Sequence, residues 1–388
     1  MPSLFTTRFL IMCAYSFTVF TSVFQLLPTA PYRVLELGGS TVAAGLFLGL
    51  MTYSSAISAP FTGHFCDRIG HRPVLIGVSL VLAVFTASYA VIPQHEVMLA
   101  VTVVHGFVWS ALLSASSAYM MSTVPASRRA EGLSYWGLTS VLAIGAAPAL
   151  GFWVYRHGWT ALCLELTALN LLMATIAWWL PDDRATDAVN QSNPANPAAA
   201  MGVEWRVLGL SVGIAMISFG YGSLTSFSAL FADQLGISPR NLFLSAMAVS
   251  ILVGRLTVGR TLDKLGHRRV LLRCLIAPPL GLLVLAAAQG PVMFVLAGVL
   301  FGAGFGLMHP AYSAYMMTHV AANRRGAAFG AMLAAFDTGI GTGSSAVGWL
   351  AGIGGFRLAF GVAAAVALLS LPYFVIAEKR LGFREPDL

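Results

Sequence analysis

The length of its apolar blocks restricts this chain more than any other feature. They run about 20 residues each, one after another, with only short polar turns between most of them. An α-helix rises about 1.5 Å per residue, so each block is long enough to cross a hydrocarbon core of about 30 Å. Backbone N–H and C=O groups in lipid must be satisfied internally, which leaves helices or closed barrels. A barrel strand alternates apolar and polar residues over about ten positions, and no such segments appear. Charged residues form only 10% of the 388, against about 25% in soluble domains. The expectation is an integral, all-α membrane protein.

The blocks predict twelve transmembrane helices, near 8–28, 40–62, 73–92, 97–121, 131–153, 159–180, 205–230, 240–260, 269–288, 291–317, 326–350 and 355–377. Prolines near 28–32 and 277–280 blur two of the ends. The first block is about 20 residues long, lacks a convincing small-residue cleavage site and is followed at once by another span, so it reads as helix 1 rather than a signal sequence. Residues 181–204, PDDRATDAVNQSNPANPAAAMGVE, break the apolar rhythm. Their polar, Asn/Pro/Ala-rich composition reads as a linker. It divides the chain into an N-terminal six-helix bundle (1–180) and a C-terminal one (205–388).

Charge orients the helices. With both termini on one side, seventeen of the 22 basic residues fall in the loops of that side, whereas Arg33, Arg156, Arg240 and Arg357 fall opposite. This positive-inside bias places both ends in the cytoplasm. The net charge of +7 therefore reflects topology, spread over short loops, and is no nucleic-acid footprint. Cys13, Cys66, Cys163 and Cys274 share no CxxC or metal-ligand spacing, so no metal or cofactor is expected.

The pentapeptide SAYMM stands at 117–121 and again at 313–317, 196 residues apart. The longer stretches SAYMMSTVPASRRAEG and SAYMMTHVAANRRGAA align Tyr119 with Tyr315 and Arg128–Arg129 with Arg324–Arg325. A second pair, GHFCDRIGHRP (63–73) and GRTLDKLGHRR (259–269), has the same offset and aligns Asp67 with Asp263. Two matches with one offset, either side of the linker, argue for homologous halves. Six being even, the halves enter the membrane in the same sense.

The pattern G-x-x-x-D-[RK]-x-G-[RH]-[RK] between helices 2 and 3, repeated between helices 8 and 9, resembles the signature loop of the major facilitator superfamily. The resemblance covers nearly the whole chain. It implies two pseudo-symmetric six-helix bundles around a central cavity that opens alternately to either side, and no enzymatic activity. It also implies gating roles for Gly63, Asp67, Arg68, Gly70 and Arg72, and for Gly259, Asp263, Lys264, Gly266 and Arg268. Gly63 and Gly70 are expected to permit a tight turn. Asp67 would face a helix N-terminus, an interaction worth about 0.3–2 kcal/mol; in the family this aspartate latches the halves by contacting helix 11, here near Arg324, Arg325 and Gly326. A solvated turn that only marks topology is the other reading.

Charges inside spans are costly, about 2.5–3.5 kcal/mol each at a helix centre. Asp337, in FDTGIGTGSS, lies near mid-membrane in helix 11. Arg255 lies near the cytoplasmic end of helix 8, roughly 8 Å away in depth. Two readings stay open: a static Arg255–Asp337 pair, or an Asp337 that exchanges a proton or a substrate charge. Glu165 on helix 6 suits a rim or structural role as well as a proton site. His309 on helix 10 and His105 on helix 4 are either titrating or structural.

Helix 5 reads GAAPALGFW. Gly145, Pro148 and Gly151 are similar to the exporter signature G-x-x-x-G-P-x-x-G, although Ala147 stands where glycine precedes proline. The helix 4 signature R-x-x-Q-G is matched only at Gly106, with Thr102 and His105 in place of arginine and glutamine, and helix 1 lacks an acidic residue. By the family's arrangement, helices 1, 4, 7 and 10 line the cavity, which nominates Tyr15, Gln25, Trp109, Tyr119, Tyr221, Tyr312 and Tyr315. Such an aromatic, nearly uncharged set suits an amphipathic organic solute better than a phosphate, which would call for clustered Arg or Lys.

The sequence thus points to a secondary transporter that exports a small drug or metabolite in exchange for protons, as a monomer in a bacterial inner membrane. An importer or facilitator of a sugar, metabolite or metal chelate is the alternative. A membrane-embedded enzyme or sensor is remote, since no HExxH, GxSxG or Walker motif occurs.

Overall fold

A computed structural model describes residues 4–125, 128–182, 204–258, 266–321 and 324–383, without the side chains of residues 60, 67, 129, 130, 134 and 258. Most of the expected linker, and Gly259, Asp263 and Lys264 of the second signature loop, lie outside the described residues. So does the side chain of Asp67.

The helices are α1 (Thr7–Glu36), α2 (Thr41–Ile69), α3 (His71–Val91), α4 (His95–Thr123), α5 (Arg129–Tyr155), α6 (Trp159–Trp178), α7 (Trp205–Gln234), α8 (Leu242–Val258), α9 (His267–Cys274), α10 (Ala277–Ala286), α11 (Pro291–His319), α12 (Arg325–Leu368) and α13 (Ser370–Arg380). Among the described residues ten helices are long and apolar enough to cross a membrane, and Leu242–Thr257 is a shorter apolar one. One of the ten, Arg325–Arg380, is 56 residues long and holds two crossings. The twelve expected spans are thereby accounted for.

Three expectations about helix ends are corrected. Helix 1 does not stop at residue 28: Pro28 and Pro31 sit inside α1, where neighbouring helices and local adjustment compensate the missing N–H groups. Span 9 is broken into α9 and α10, because Pro278 and Pro279 open a new helix at its N-terminus. Spans 11 and 12 have no loop between them. A single residue, Gly355 at φ 76°, turns the chain.

The chain divides into two compact units, one of Met1–Gly38 with Tyr53–Pro194, the other of Gly39–Thr52 with Ala195–Leu388. The same pairings recur inside each. Span 1 packs on spans 5 and 6 as α1 on α5 and α6, and span 7 packs on spans 11 and 12 as α7 on α12 and α13. α3 likewise contacts α4 and α6, as α10 contacts α11 and α12. In the first unit, Phe9, Met12, Tyr15, Leu75, Leu112, Ala115 and Tyr119 form the core. Several hydroxyls within spans return to their own helix: Thr86 donates to the Leu82 carbonyl (3.0 Å), and Thr102 to that of Met98 (2.8 Å). That local bond removes the cost of an unsatisfied hydroxyl in lipid.

In the first signature loop Gly63 lies inside α2, which runs on to Ile69, so it makes no turn. Gly70 alone makes it, at φ 96°, and Gly266 repeats it at φ 80°. A side chain is strained at such angles.

Candidate functional site

In the C-terminal unit, α7, α8, α11 and α12 bring the span residues together. Tyr221 on α7 stacks on Phe305 of α11, with centroids 4.4 Å apart and planes at 15°. Phe305 stacks in turn on Phe336 of α12 at 6.1 Å, and His309 meets the Phe336 face edge-on at 5.7 Å. Offset and edge-on contacts of this kind add about 0.5–1.5 kcal/mol beyond burial. Asp337 follows Phe336, about 18 Å along α12 from its start. Among the described residues its carboxyl has no ion pair and no hydrogen bond.

Of the two readings left open for these charges, the static Arg255–Asp337 pair is not formed in the described structure. Arg255 Nε donates to the Gly306 carbonyl of α11 at 3.3 Å. The reason is the close approach of α8 to α11: a Cβ on Gly306 would stand 3.0 Å from Ile251. That approach brings the Gly306 carbonyl within reach of the guanidinium.

In the N-terminal unit a buried polar network links four helices. Ser22 donates to Asn170 (3.0 Å), Asn170 to Thr86 (3.2 Å), and Thr86 bonds Thr167 (3.1 Å). His105 Nδ1 bonds the Tyr89 hydroxyl (3.1 Å), with its ring stacked on Phe85. Between them lies a cavity of about 10 Å³, lined by Ser22, Thr86, His105, Trp109 and Asn170 among others. That is at the threshold for one water. His105 is thus tethered to α3 through Tyr89 and Phe85.

Beside this network, Gln25 Nε2 donates to Glu165 Oε1 at 3.1 Å. The helix 5 signature bears on this pair. A Cβ on Gly151 would meet Gln25 Cα and Cβ at 3.0 Å, so glycine lets α5 lie directly against α1. Ala147 and Pro148 are buried on α5 as well.

The remaining cavity nominees are packed in the described structure. Tyr15 is fully buried, bonded to Ser79 at 3.0 Å. Tyr312 is fully buried, bonded to Ser211 at 2.9 Å.

The duplicated tyrosines do something else. Tyr119 donates to the Pro181 carbonyl past α6 (2.9 Å) and accepts from Arg8 Nε (3.0 Å). Arg72 donates to the Trp178 carbonyl at 2.7 Å. In the other unit Tyr315 donates to Glu378 Oε1 (2.5 Å) and to the Phe383 carbonyl (3.2 Å). Arg268 grips both oxygens of Glu378, at 2.7 and 2.8 Å. Each SAYMM tyrosine and each signature-loop arginine therefore ties down the last helix of its own unit. Arg324 of the second arginine pair bonds Glu204 at 2.7 Å.

Reading the sequence missed Glu378, which is fully buried, and Arg8. A signal for Glu378 was present: it stands 196 residues after Asp182, the offset of the other repeats.

A polytopic helical protein of two like units, with polar and charged side chains placed inside its spans, is a membrane carrier for small molecules. The chain belongs to the Major Facilitator Superfamily, whose profile matches residues 4–277 and 210–386. It is 27% identical over 381 residues to an MFS-type transporter of Pseudomonas aeruginosa strain UCBPP-PA14, covering 94% of this chain and 93% of that one. Its fold is similar to that of the nucleoside transporter NupG (TM-score 0.77, 16% identity, 96% and 100% covered). It also resembles a D-xylose-proton symporter (TM-score 0.77, 16% identity, 94% and 96% covered).

Proposed function

We propose that the protein is a proton-driven exporter of small amphipathic organic molecules, working by alternating access. The observation that carries this reading is Asp337: a mid-span carboxyl with no ionic or hydrogen-bonded partner among the described residues, next to the Tyr221–Phe305–Phe336 stack. A carboxyl so placed is costly unless it gains a proton or a cation, and the aromatic faces suit a planar or amphipathic solute. One charge crossing 100 mV is worth about 2.3 kcal/mol, enough for roughly fifty-fold accumulation.

In this reading residues 1–180 and 205–388 are the moving bundles, 181–204 joins them, both termini face the cytoplasm, and the signature loops gate. Asp67 and Asp263 supply the latch, with Arg68, Lys264 and their neighbours. The protein works as a monomer in a bacterial inner membrane. Import by symport is the second reading, favoured by the missing helix 4 arginine and by the tethering of His105 to Tyr89.

A thermal-shift screen of an organic solute panel on purified protein identifies the solute. Vesicles with an imposed pH gradient then decide direction: an exporter moves solute against the proton flow. Co-movement would establish import, and flux indifferent to the gradient would reject proton coupling.

A further inference from the structure

Gln25 is fully buried on α1, and its amide makes one hydrogen bond, to Glu165 Oε1 on α6. Two atoms of this pair are buried without any partner: Gln25 Oε1 and Glu165 Oε2. Both are acceptors while the carboxyl is ionised, so neither can satisfy the other. Leaving both unmet inside a span is unfavourable on two counts, an uncompensated charge and an orphaned amide oxygen. One proton removes both defects. A carboxylic acid and a primary amide close a ring of two hydrogen bonds, amide N–H to acid carbonyl and acid O–H to amide carbonyl. The first of these bonds is present, and the two orphaned atoms are the ones the second would join.

We propose that Gln25 and Glu165 form a proton-binding site, in which Glu165 carries the proton on Oε2 and donates it to Gln25 Oε1. A hydronium ion from the aqueous phase gives up the proton: one O–H bond breaks on it and one forms on Oε2, water is left, and the pair passes from charge −1 to neutral; release to water reverses the step. This is a site in the N-terminal unit, separate from Asp337 in the other.

Neighbouring charges leave the pair alone. On α1, Arg33 lies about 12 Å further along the axis and bonds Glu36 at 3.4 Å. On α5, Tyr155 donates to that same Glu36. On α3 and α4, Tyr89 and His105 bond each other, and on α6 the titratable neighbour is the buried thiol of Cys163. Among the described residues no cation pairs with Glu165. The way to discharge the site is mechanical: α5 presses on the Gln25 backbone through Gly151, so a shift of α5 on α1 would open the ring and expose the acid. Use of this proton in transport rests on the proton-driven reading; its binding does not.

Infrared difference spectroscopy of the full-length protein in lipid nanodiscs, titrated across pH, reads the acid directly. The wild type is expected to show a protonated-carboxyl C=O band at neutral pH. Glu165→Gln, which keeps a two-bond ring, removes one carboxyl's worth of that band, and Asp337→Asn leaves that share in place. Gln25→Leu moves the band to higher wavenumber, since the acid carbonyl loses its amide donor. Carboxyl-¹³C glutamate labelling shifts the band in the wild type itself, so the assignment survives a variant that folds poorly. A neutral-pH band unmoved by glutamate labelling, or spectra of wild type and Glu165→Gln that coincide at every pH, would overturn the proposal. Solute flux indifferent to a pH gradient, with the band present, would overturn proton-driven transport and leave the pair standing.

Discussion

The two units use the same tyrosine and the same signature-loop arginine to fasten their last helices, yet they fasten them to different chemistry. Tyr119 and Arg72 end on neutral backbone carbonyls, those of Pro181 and Trp178. Tyr315 and Arg268 converge on one fully buried carboxylate, Glu378. A neutral hydrogen bond contributes about 0.5–1.5 kcal/mol net. Removing one partner of a buried ion pair costs about 3–5 kcal/mol, because the other charge is left unpaired. Duplication thus preserved the geometry of the fastening while its energetic stakes diverged. The C-terminal fastening depends on one buried charge; the N-terminal one is shared among Tyr119, Arg8 and Arg72.

Substitutions can break that contrast in order of size. Arg268→Ala should have the largest effect, leaving Glu378 buried without its guanidinium: about 3 kcal/mol, somewhat less if water reaches the half-exposed arginine side. Thermal unfolding of the detergent-purified protein measures it, and the double variant Arg268→Ala with Glu378→Gln should recover most of the loss. Tyr315→Phe comes next, at about 1.5–3 kcal/mol, since it deletes a bond to a charged acceptor. Tyr119→Phe should cost about 1 kcal/mol. Arg72→Ala should cost less than 1 kcal/mol, its partner being a carbonyl near the surface that water can serve. Equal losses at Tyr119 and Tyr315 would dissolve the distinction between the units. A separate contrast concerns helix packing: Gly151→Leu should disrupt α5 on α1, whereas Gly63→Ala, with open space around its Cβ position, should leave the thermal unfolding unchanged.

Much of the architecture was legible from hydropathy, because lipid imposes one local rule on every span: satisfy the backbone internally over about 20 residues. What hydropathy does not encode is where a helix bends or ends. The Gly355 turn leaves no polar loop to notice, and Pro28 and Pro31 look like terminators but are carried inside α1. Gly63 and Gly70 look alike in the motif, yet only Gly70 has the positive φ. At the site, the charges were found by their rarity, but their partners are tertiary facts. Arg255 faces the Gly306 carbonyl because α8 and α11 meet closely, a distance no spacing rule gives. Tyr15 and Tyr312 belong to helices nominated as cavity-lining but to faces that are packed. Gln25 and Glu165, 140 residues apart, were nominated separately and for different roles. Glu378 is the exception, since its register with Asp182 was readable and only its burial was not.

Proton coupling through Asp337 is tested most directly by the pH change that solute evokes. Wild-type protein and Asp337→Asn, each in lightly buffered proteoliposomes with a pH-sensitive dye inside, receive a solute identified by thermal shift. The account predicts a solute-evoked proton movement in the wild type and none in the variant, while both still bind the solute. Equal proton signals from the two would contradict it.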